Sequence, residues 1–306
     1  MNILVTGGAG FIGSHIVEHY QGQGKIRVLD NFRSGYKRNL AGFDVELVEG
    51  SVLDRKAVAY AVEGIDFLFH LAAMISVPES MDNPIECTDI NTNGTLTVLE
   101  EAAKAGVKKL VFSSSAAIYG DNPIVPKVET MLPEPKSPYA VSKLDGEYYC
   151  KIFHDTGRLN TVCLRYFNVF GPRQDPNSQY AAAVPIFLDK ALQNEAITIF
   201  GDGLQTRDFI YVKDVVRANA HLATRPEATG VHNVAYGNKI TIRDLASKII
   251  DLTGSSSKIE HAAERVGDVK HSLAKIDKLL ATGFEPRFDF DRGLAETIEY
   301  FKCSVR

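Results

Sequence analysis

Short apolar runs alternate with longer stretches of helical period through the first half of the chain. "NILVTG" (Asn2–Gly7), "IRVLD" (Ile26–Asp30), "VELVEG" (Val45–Gly50), "DFLFHLA" (Asp66–Ala72), "KKLVFSSS" (Lys108–Ser115) and "TVCLRYFNV" (Thr161–Val169) read as six strands. Between them, helical patterns cover Phe11 to Tyr20, Arg55 to a closing Gly64, Asn83 to Lys104 with Gly106 beyond, and Tyr139 to about Phe153. Strands that are apolar on both faces belong inside a parallel sheet covered by helices on each side. The pattern therefore predicts a doubly wound α/β domain over residues 1–167. After about Asn168, Pro and Gly punctuate more closely, in "FGPRQDPNS", "FGDGLQT", "TRPEATG" and "LTGSSS". Residues 168–306 are expected to form a smaller C-terminal α/β lobe, its segments interleaved with the first domain.

Composition narrows the classes of function. The chain has 306 residues, 45% apolar and 24% charged, with a net charge of −4. Nothing in that balance calls for a nucleic acid or an anionic membrane as partner. No apolar stretch approaches the ~18 residues of a membrane span, and "MNILVTGGAG" lacks the basic and apolar regions of a signal peptide. A cytoplasmic protein is expected. Cys87, Cys150, Cys163 and Cys303 are scattered and read as free thiols. His15 and His19 could share a helix face, but no further ligand stands near; they read as a solvated face, and no metal is expected.

"TGGAGFIG" changes the picture. Gly7, Gly10 and Gly13 follow the first strand and open the first helix. A dinucleotide pyrophosphate is held at such a helix N-terminus by free N–H groups and the helix dipole. The first glycine permits the turn, the second lets the backbone approach phosphate, and the third lets helix and strand pack closely. The fold expected is of the Rossmann type. Asp30 ends the second strand, where a carboxylate binds the adenosine ribose hydroxyls and repels a 2′-phosphate; this favours NAD over NADP. Arg33 nearby pulls the other way, since an arginine accepts a 2′-phosphate.

"SPYAVSK" holds Tyr139 and Lys143 four residues apart, and Tyr139 is the only tyrosine in the chain with a lysine at that spacing. Alone, the segment reads equally as a helix start or as a catalytic pair. Tyrosine ordinarily titrates near ~10, too high for a base at neutral pH. An ammonium ~6 Å away, at an effective dielectric near ~20, contributes roughly 2–3 kcal/mol, or about two pKa units. A nicotinamidium charge adds in the same direction and brings the phenol toward operating pH. Helical spacing keeps the pair on one face, and Pro138 suits the first turn.

Together, Gly7-x-x-Gly10-x-x-Gly13, Asp30-Asn31, Asn91, Ser115, Tyr139-x-x-x-Lys143 and "RYFNVFGP" resemble the extended short-chain dehydrogenase/reductase family over nearly the whole chain. Within it the sequence is similar to UDP-hexose 4-epimerases. "RYFNVFGPRQDPNSQYAAAVP" and "GDGLQTRDFIYVKD" are similar to the branch acting on UDP-N-acetylhexosamines. The resemblance implies NAD bound by Gly7, Gly10, Phe11, Ile12, Gly13, Asp30, Asn31, Arg33, Ser34, Gly35, Ser51, Val52, Leu71, Ala72, Ala73, Asn91, Ser113, Tyr139, Lys143 and Tyr166. Ser51 departs from the pattern, because the family usually has an aspartate there that binds the adenine amino group.

The resemblance also implies a mechanism. Tyr139 takes the proton of the sugar 4-hydroxyl, Ser115 hydrogen-bonds the same oxygen, and Lys143 binds the nicotinamide ribose and lowers the Tyr139 pKa. Family members that eliminate water place an acid pair directly after this serine, and decarboxylases usually have a polar or acidic residue there. Here stand Ala116 and Ala117, which do no acid–base work. UDP-sugar contacts are implied at Ser76, Ser115, Tyr139, Asn168, Ala183, Val184, Thr198, Phe200, Arg207, Arg265, Asp268 and Ser272, with Phe200 against the uracil and the two arginines on the pyrophosphate. Ser272 matches a bulky tyrosine in members restricted to glucose and galactose; a serine leaves room for an N-acetyl group. The family's usual homodimer packs the long helix and the Tyr139 helix of two subunits together. A UDP-glucuronate 4-epimerase or decarboxylase, and a non-catalytic NAD sensor, remain alternatives on the same fold.

Overall fold

In a computed structural model, which describes residues 1–176, 182–264 and 270–304, the apolar runs of the first half become neighbouring parallel strands. They are Asn2–Thr6 (β1), Lys25–Asp30 (β2), Glu46–Glu49 (β3), Phe67–His70 (β4), Lys109–Ser115 (β5) and Thr161–Tyr166 (β6). The later strands are short: Asn168–Phe170 (β7), Ile197–Phe200 (β8), Thr206–Arg207 (β9), Phe209–Tyr211 (β10), Gly230–Val234 (β11), Ile240–Thr241 (β12) and Ile259–Ala262 (β13). β11 returns from the C-terminal half to pair with β6, so the main sheet runs β3-β2-β1-β4-β5-β6-β11, all parallel. This is a Rossmann-type α/β sheet. Its order reverses between β1 and β4, and the loops leaving those two strands part to leave a crevice at the carboxyl edge.

The helices of the first half are Phe11–Tyr20 (α1), Arg55–Val62 (α2), Val77–Asp82 (α3), Pro84–Thr88 (α4), Gly94–Lys104 (α5) and Pro138–Asp155 (α6). Those of the second are Ala183–Leu192 (α7), Val212–Ala223 (α8), Ile242–Thr253 (α9), Asp277–Leu280 (α10) and Phe290–Ser304 (α11). The two-residue period of β1 sends Ile3 and Val5 into one core, with Ile16 of α1 and Val215 and Leu222 of α8, and Leu4 into the other, with Val58, Val98, Leu99 and Phe153. A third core, of Phe170, Val184, Leu188, Ile197, Ile199, Leu245 and Leu294, belongs to the second half. No helix among the described residues is long and apolar enough to cross a membrane.

Two elements depart from the sequence expectation. The run Thr161–Val169 is not one strand: β6 stays in the main sheet, Phe167 donates its N–H to Val234 O, and β7 turns away to pair with β10. Hydrophobicity continues across the break because both pieces are buried, so the pattern carries no mark of it. The helix expected over Asn83–Lys104 is interrupted by a π-helical segment, Asp89–Asn93, which carries Asn91. Such wide turns are often found at functional sites.

Candidate functional site

The crevice at the switch point encloses about 660 Å³. Gly7 sits at φ +71°, and a Cβ there would stand 2.8 Å from Ala72 N on the neighbouring loop. A Cβ on Gly13 would stand 2.2 Å from Gly7 O, so only glycine lets α1 pack this closely on the turn. Gly10 is the N-cap of α1 and offers no side chain, which leaves the first-turn N–H groups to face the crevice. This is a backbone cradle of the kind a pyrophosphate fills.

Asp30 ends β2 and is buried. Its Oδ2 accepts from Ala9 N at 2.8 Å and its Oδ1 from Phe32 N at 2.7 Å, leaving a lone pair on each oxygen for a ribose hydroxyl. Burial pushes the carboxyl up, and those two backbone bonds pull it back. Arg33 is committed to carboxylates: Nη1 donates to Glu86 Oε1 at 2.5 Å and Nη2 to Glu79 Oε1 at 2.9 Å. With two carboxylates already on its guanidinium, Arg33 makes a poor seat for a 2′-phosphate, so the residues fit NAD. Ser51 Oγ accepts from Leu53 N at 3.2 Å, and Val52 is buried in the core beneath. Asn31, Ser34, Gly35, Leu71, Ala72 and Ala73 line the crevice with the three loop glycines, Phe11 and Ile12.

At the other end of the crevice stand Ser113, Ser115, Tyr139, Lys143 and Tyr166. "SPYAVSK" is a helix start whose tyrosine and lysine both line the crevice. Ser137 caps α6 by accepting from Ala140 N, Pro138 occupies the first turn, and Tyr139 faces the crevice half-buried. Ser115 lines the crevice beside Tyr139, and Lys143 Nζ donates to Ser113 O at 2.8 Å. Tyr166 Oη donates to Asn219 Oδ1 at 2.9 Å. Lys143 Nζ lies 5.8 Å from the centre of the Tyr139 ring. Burial pushes the Tyr139 phenol up and the neighbouring Ser115 hydroxyl pulls it down, while burial lowers Lys143 to about 8. The expected lowering of Tyr139 by Lys143 is therefore not the dominant effect here. Desolvation outweighs it, because the ammonium is drawn onto the Ser113 carbonyl.

Asn91 does not line the crevice. Its amide is used up inside the protein: Oδ1 accepts from Met74 N at 2.7 Å, and Nδ2 donates to Met74 O at 3.0 Å and Ser142 Oγ at 3.0 Å. It holds the loop after β4 against α6, which is a positioning role, not a cofactor contact by side chain.

The expected sugar side is less united. Ser115 and Tyr139 line the crevice, but Ser76, Asn168, Ala183, Val184, Thr198, Phe200 and Ser272 do not. Ser76 caps α3, accepting from Glu79 N at 3.0 Å. Asn168 Nδ2 donates to Asp208 O at 3.1 Å. Ala183 opens α7, and the Val184 side chain is buried in the third core, so only its backbone is left for a ligand. On β8, Ile197 and Ile199 point into that core while Thr198 and Phe200 face away, the orientation a base platform needs. Arg207 lines a second hollow of about 360 Å³ with Phe209, Tyr236 and Phe290. Ser272 N donates to Thr206 O at 3.0 Å, which sets it beside the strand of Arg207. Arg265 and Asp268 lie outside the described residues.

Sequence reasoning missed the segment after β7. Arg173 and Asp175 line the crevice, and Tyr36 Oη donates to Asp175 Oδ2 at 2.6 Å across it. Arg173, at φ +65°, reaches Ser14 O and His15 Nδ1 on α1 and pairs with Glu18. His15 is therefore buried under this segment, with Nε2 on Pro172 O at 2.9 Å, and not on the solvated face expected for it. Only the left-handed Arg173 after Gly-Pro distinguishes the segment, and composition does not announce that conformation.

Comparison with known proteins agrees with this geometry. Residues 3–235 match the NAD dependent epimerase/dehydratase family. The chain superposes with a TM-score of 0.95 on the UDP-N-acetylglucosamine 4-epimerase of Methanobrevibacter ruminantium, solved with UDP-N-acetylmuramic acid, at 41% identity over 99% of this chain and 98% of that one. It superposes with a TM-score of 0.91 on the UDP-glucose 4-epimerase of Thermus thermophilus, solved with NAD, at 36% identity over 99% of each. It is also 33% identical to a UDP-N-acetyl-alpha-D-glucosaminuronate decarboxylase of Bacillus cytotoxicus, over 98% of this chain and 97% of that one. With the glycine cradle, the ribose carboxylate and the Ser-Tyr-Lys set all in place, the chain belongs to the NAD dependent epimerase/dehydratase family.

Proposed function

We propose that the protein is an NAD-dependent UDP-sugar 4-epimerase that interconverts UDP-GlcNAc with UDP-GalNAc and also accepts UDP-Glc and UDP-Gal. The observation that carries this reading is the end of β5: Ser115 lining the crevice with Tyr139 and Lys143, with Ala116 and Ala117 as the next two residues. That site would remove and return a proton at one oxygen, and neither residue that follows Ser115 is an acid that could expel water.

The first-turn N–H groups of α1 would hold the pyrophosphate, Asp30 the adenosine ribose, and Lys143 with Tyr139 the nicotinamide ribose. NAD held there would supply reversible hydride transfer at the sugar C4. Tyr139, as phenolate, accepts the 4-hydroxyl proton while Ser115 donates a hydrogen bond to the same oxygen. The resulting 4-keto sugar turns over in the site. Tyr139 then gives the proton back. Residues 168–306 would supply the UDP side, with Phe200 against the base and Arg207 on phosphate.

The small Ser272 supports room for an N-acetyl group, and so does the muramic acid complex of the Methanobrevibacter relative. The Bacillus relative favours a decarboxylase as the second reading. The alanines after Ser115 weigh against it. Exposed apolar side chains on α3, α4 and α6, among them Met81, Ile85, Val141, Tyr148 and Ile152, support a homodimer packed through those helices.

Incubation with UDP-GlcNAc, UDP-Glc and UDP-GlcA separately, followed by proton NMR of the anomeric region, tests the reading. C4 inversion with no accumulated NADH and no CO2 is expected from the first two. CO2 release from UDP-GlcA without inversion would establish the decarboxylase instead. Full turnover of UDP-Gal with none of UDP-GalNAc would remove the N-acetyl assignment.

A further inference from the structure

Tyr139, Lys143 and Glu147 follow one another at four-residue spacing on α6 and face the sheet together. Glu147 does not line the crevice, yet its carboxylate takes three hydrogen bonds. Its Oε1 accepts from Ser114 Oγ at 2.5 Å and from Arg165 Nε at 2.8 Å, and its Oε2 accepts from Arg165 Nη2 at 2.7 Å. Arg165 and Glu147 side chains are only 3% and 5% exposed. Ser114 lies on β5 between Ser113, whose carbonyl takes the Lys143 ammonium, and Ser115, which lines the crevice with Tyr139. Arg165 lies on β6, next to Tyr166.

The helix is also brought unusually close to the strand at this level. A Cβ on Gly146 would stand 2.2 Å from Phe112 Cζ. The far side of the pair is anchored as well. The Arg165 guanidinium sits 4.7 Å over the Tyr119 ring, and Tyr119 Oη donates to Asn233 Oδ1 at 2.7 Å on β11. Asn233 Nδ2 reaches Lys127 O and Lys275 O.

A buried ion pair adds little net stability over an apolar replacement of similar shape, because desolvation offsets the attraction. What it does supply is a single allowed geometry. Apolar surfaces of α6 and β5 tolerate a small slide or roll, whereas a bidentate pair with a third bond from Ser114 does not. We propose that Glu147, clasped by Ser114 and Arg165, is a positioning residue: it fixes the height and roll of α6 over β5, so that Tyr139 meets Ser115 and Lys143 meets Ser113. The proposal rests on Tyr139 being the base of the reaction.

Removing one partner alone leaves a buried charge and threatens folding, so the test uses paired replacements in the full-length protein with NAD bound. Glu147→Leu with Arg165→Met removes the clasp and both charges. Glu147→Gln with Arg165→Met removes the charges but keeps an acceptor for Ser114. The first is expected to lower kcat by about 10–100-fold, the range that misplacement by a fraction of an ångström produces, with KM nearly unchanged. The acid limb of its kcat profile should move up by roughly half a pH unit, as the Ser115 hydroxyl that favours the phenolate shifts away. The glutamine pair should recover most of kcat. Ser114→Ala, which leaves the ion pair intact, should lower kcat more modestly at constant KM.

A folded Glu147→Leu/Arg165→Met protein with wild-type kcat and pH profile overturns the proposal. So does equal loss in the leucine and glutamine pairs, or an unchanged kcat in Ser114→Ala should neither pair fold. Tyr139→Phe separates the two levels: retained turnover there refutes the base itself, whatever the clasp variants do.

Discussion

The two ends of the ligand path are built differently. The NAD end is made by the carboxyl edge of β1, β2, β4 and β5, and most of its contacts are backbone: a glycine turn, an uncapped helix start, and a carboxylate already oriented by two N–H groups. The sugar end in the second half hangs on two- to four-residue strand pairs, β7–β10, β9–β12 and β8–β13, and its candidates are side chains from five separate segments. A backbone seat is formed by the chain's own path and changes little from one substrate to another. A side-chain seat can be retuned one residue at a time. Between the two stands α6, which carries the proposed base Tyr139 and belongs to the regular end.

The widest gap between binding and chemistry should come from Tyr139→Phe. Loss of the base should lower turnover by about 10³-fold or more, while a folded protein still retains NAD, as read by cofactor released on denaturation. A turnover within tenfold of wild type would remove Tyr139 from the base role.

Gly13→Ala tests the backbone seat. With its Cβ only 2.2 Å from Gly7 O, the methyl must displace the turn, at a cost of about 1–3 kcal/mol. NAD content after purification should fall sharply, with KM for the sugar in the remaining holoprotein unchanged.

Arg207→Ala should behave in the opposite way. Loss of a phosphate contact should raise KM by about 10–100-fold with kcat little changed, and steady-state kinetics at saturating NAD would show it. Ser272→Tyr should sharpen the contrast within the sugar end: turnover of UDP-GalNAc should fall by roughly tenfold or more and that of UDP-Gal should persist. Equal losses on both substrates would mean that residue 272 does not face the C2 substituent.

The smallest effect concerns the sheet beneath the site. His70, at the end of β4, is buried and hydrogen-bonds Thr6 Oγ1 at 2.7 Å and Thr95 Oγ1 at 3.0 Å. Burial, with a lesser effect of the Lys143 charge, lowers its pKa from 6.5 to about 3. The fold therefore keeps His70 neutral while the unfolded chain takes up a proton below pH 6.5. The stabilisation is complete above that pH and is lost as the pH falls toward 3, at up to about 1.4 kcal/mol per unit. Urea unfolding at pH 7 and pH 5 should show the decline, and His70→Gln should flatten it.

Much of the regular end was legible in the sequence, because its determinants are local. Apolar runs of the right length gave the strands, and Gly7, Gly10, Gly13, Asp30 and Tyr139-x-x-x-Lys143 lie where strand ends and helix starts must put them. Each of these needs only its immediate neighbours to take shape. What lay outside local reach was different in kind. The break after Tyr166 follows from which strand each half pairs with. The π-helical turn that commits Asn91 to Met74 and Ser142 depends on a helix that is distant in sequence. The burial of His15 depends on Arg173, 158 residues away.

The sequence by itself determined a Rossmann-type NAD fold and the positions from which Ser115, Tyr139 and Lys143 reach its crevice, since short-range patterning and backbone sterics suffice for both. Only the tertiary structure decided that Ser115 and Tyr139 line one crevice, that burial is the largest influence on the phenol, and that Glu147 of α6 pairs with Arg165 of β6. Those outcomes depend on desolvation and on contacts between strands and helices far apart in the chain, which no local pattern encodes.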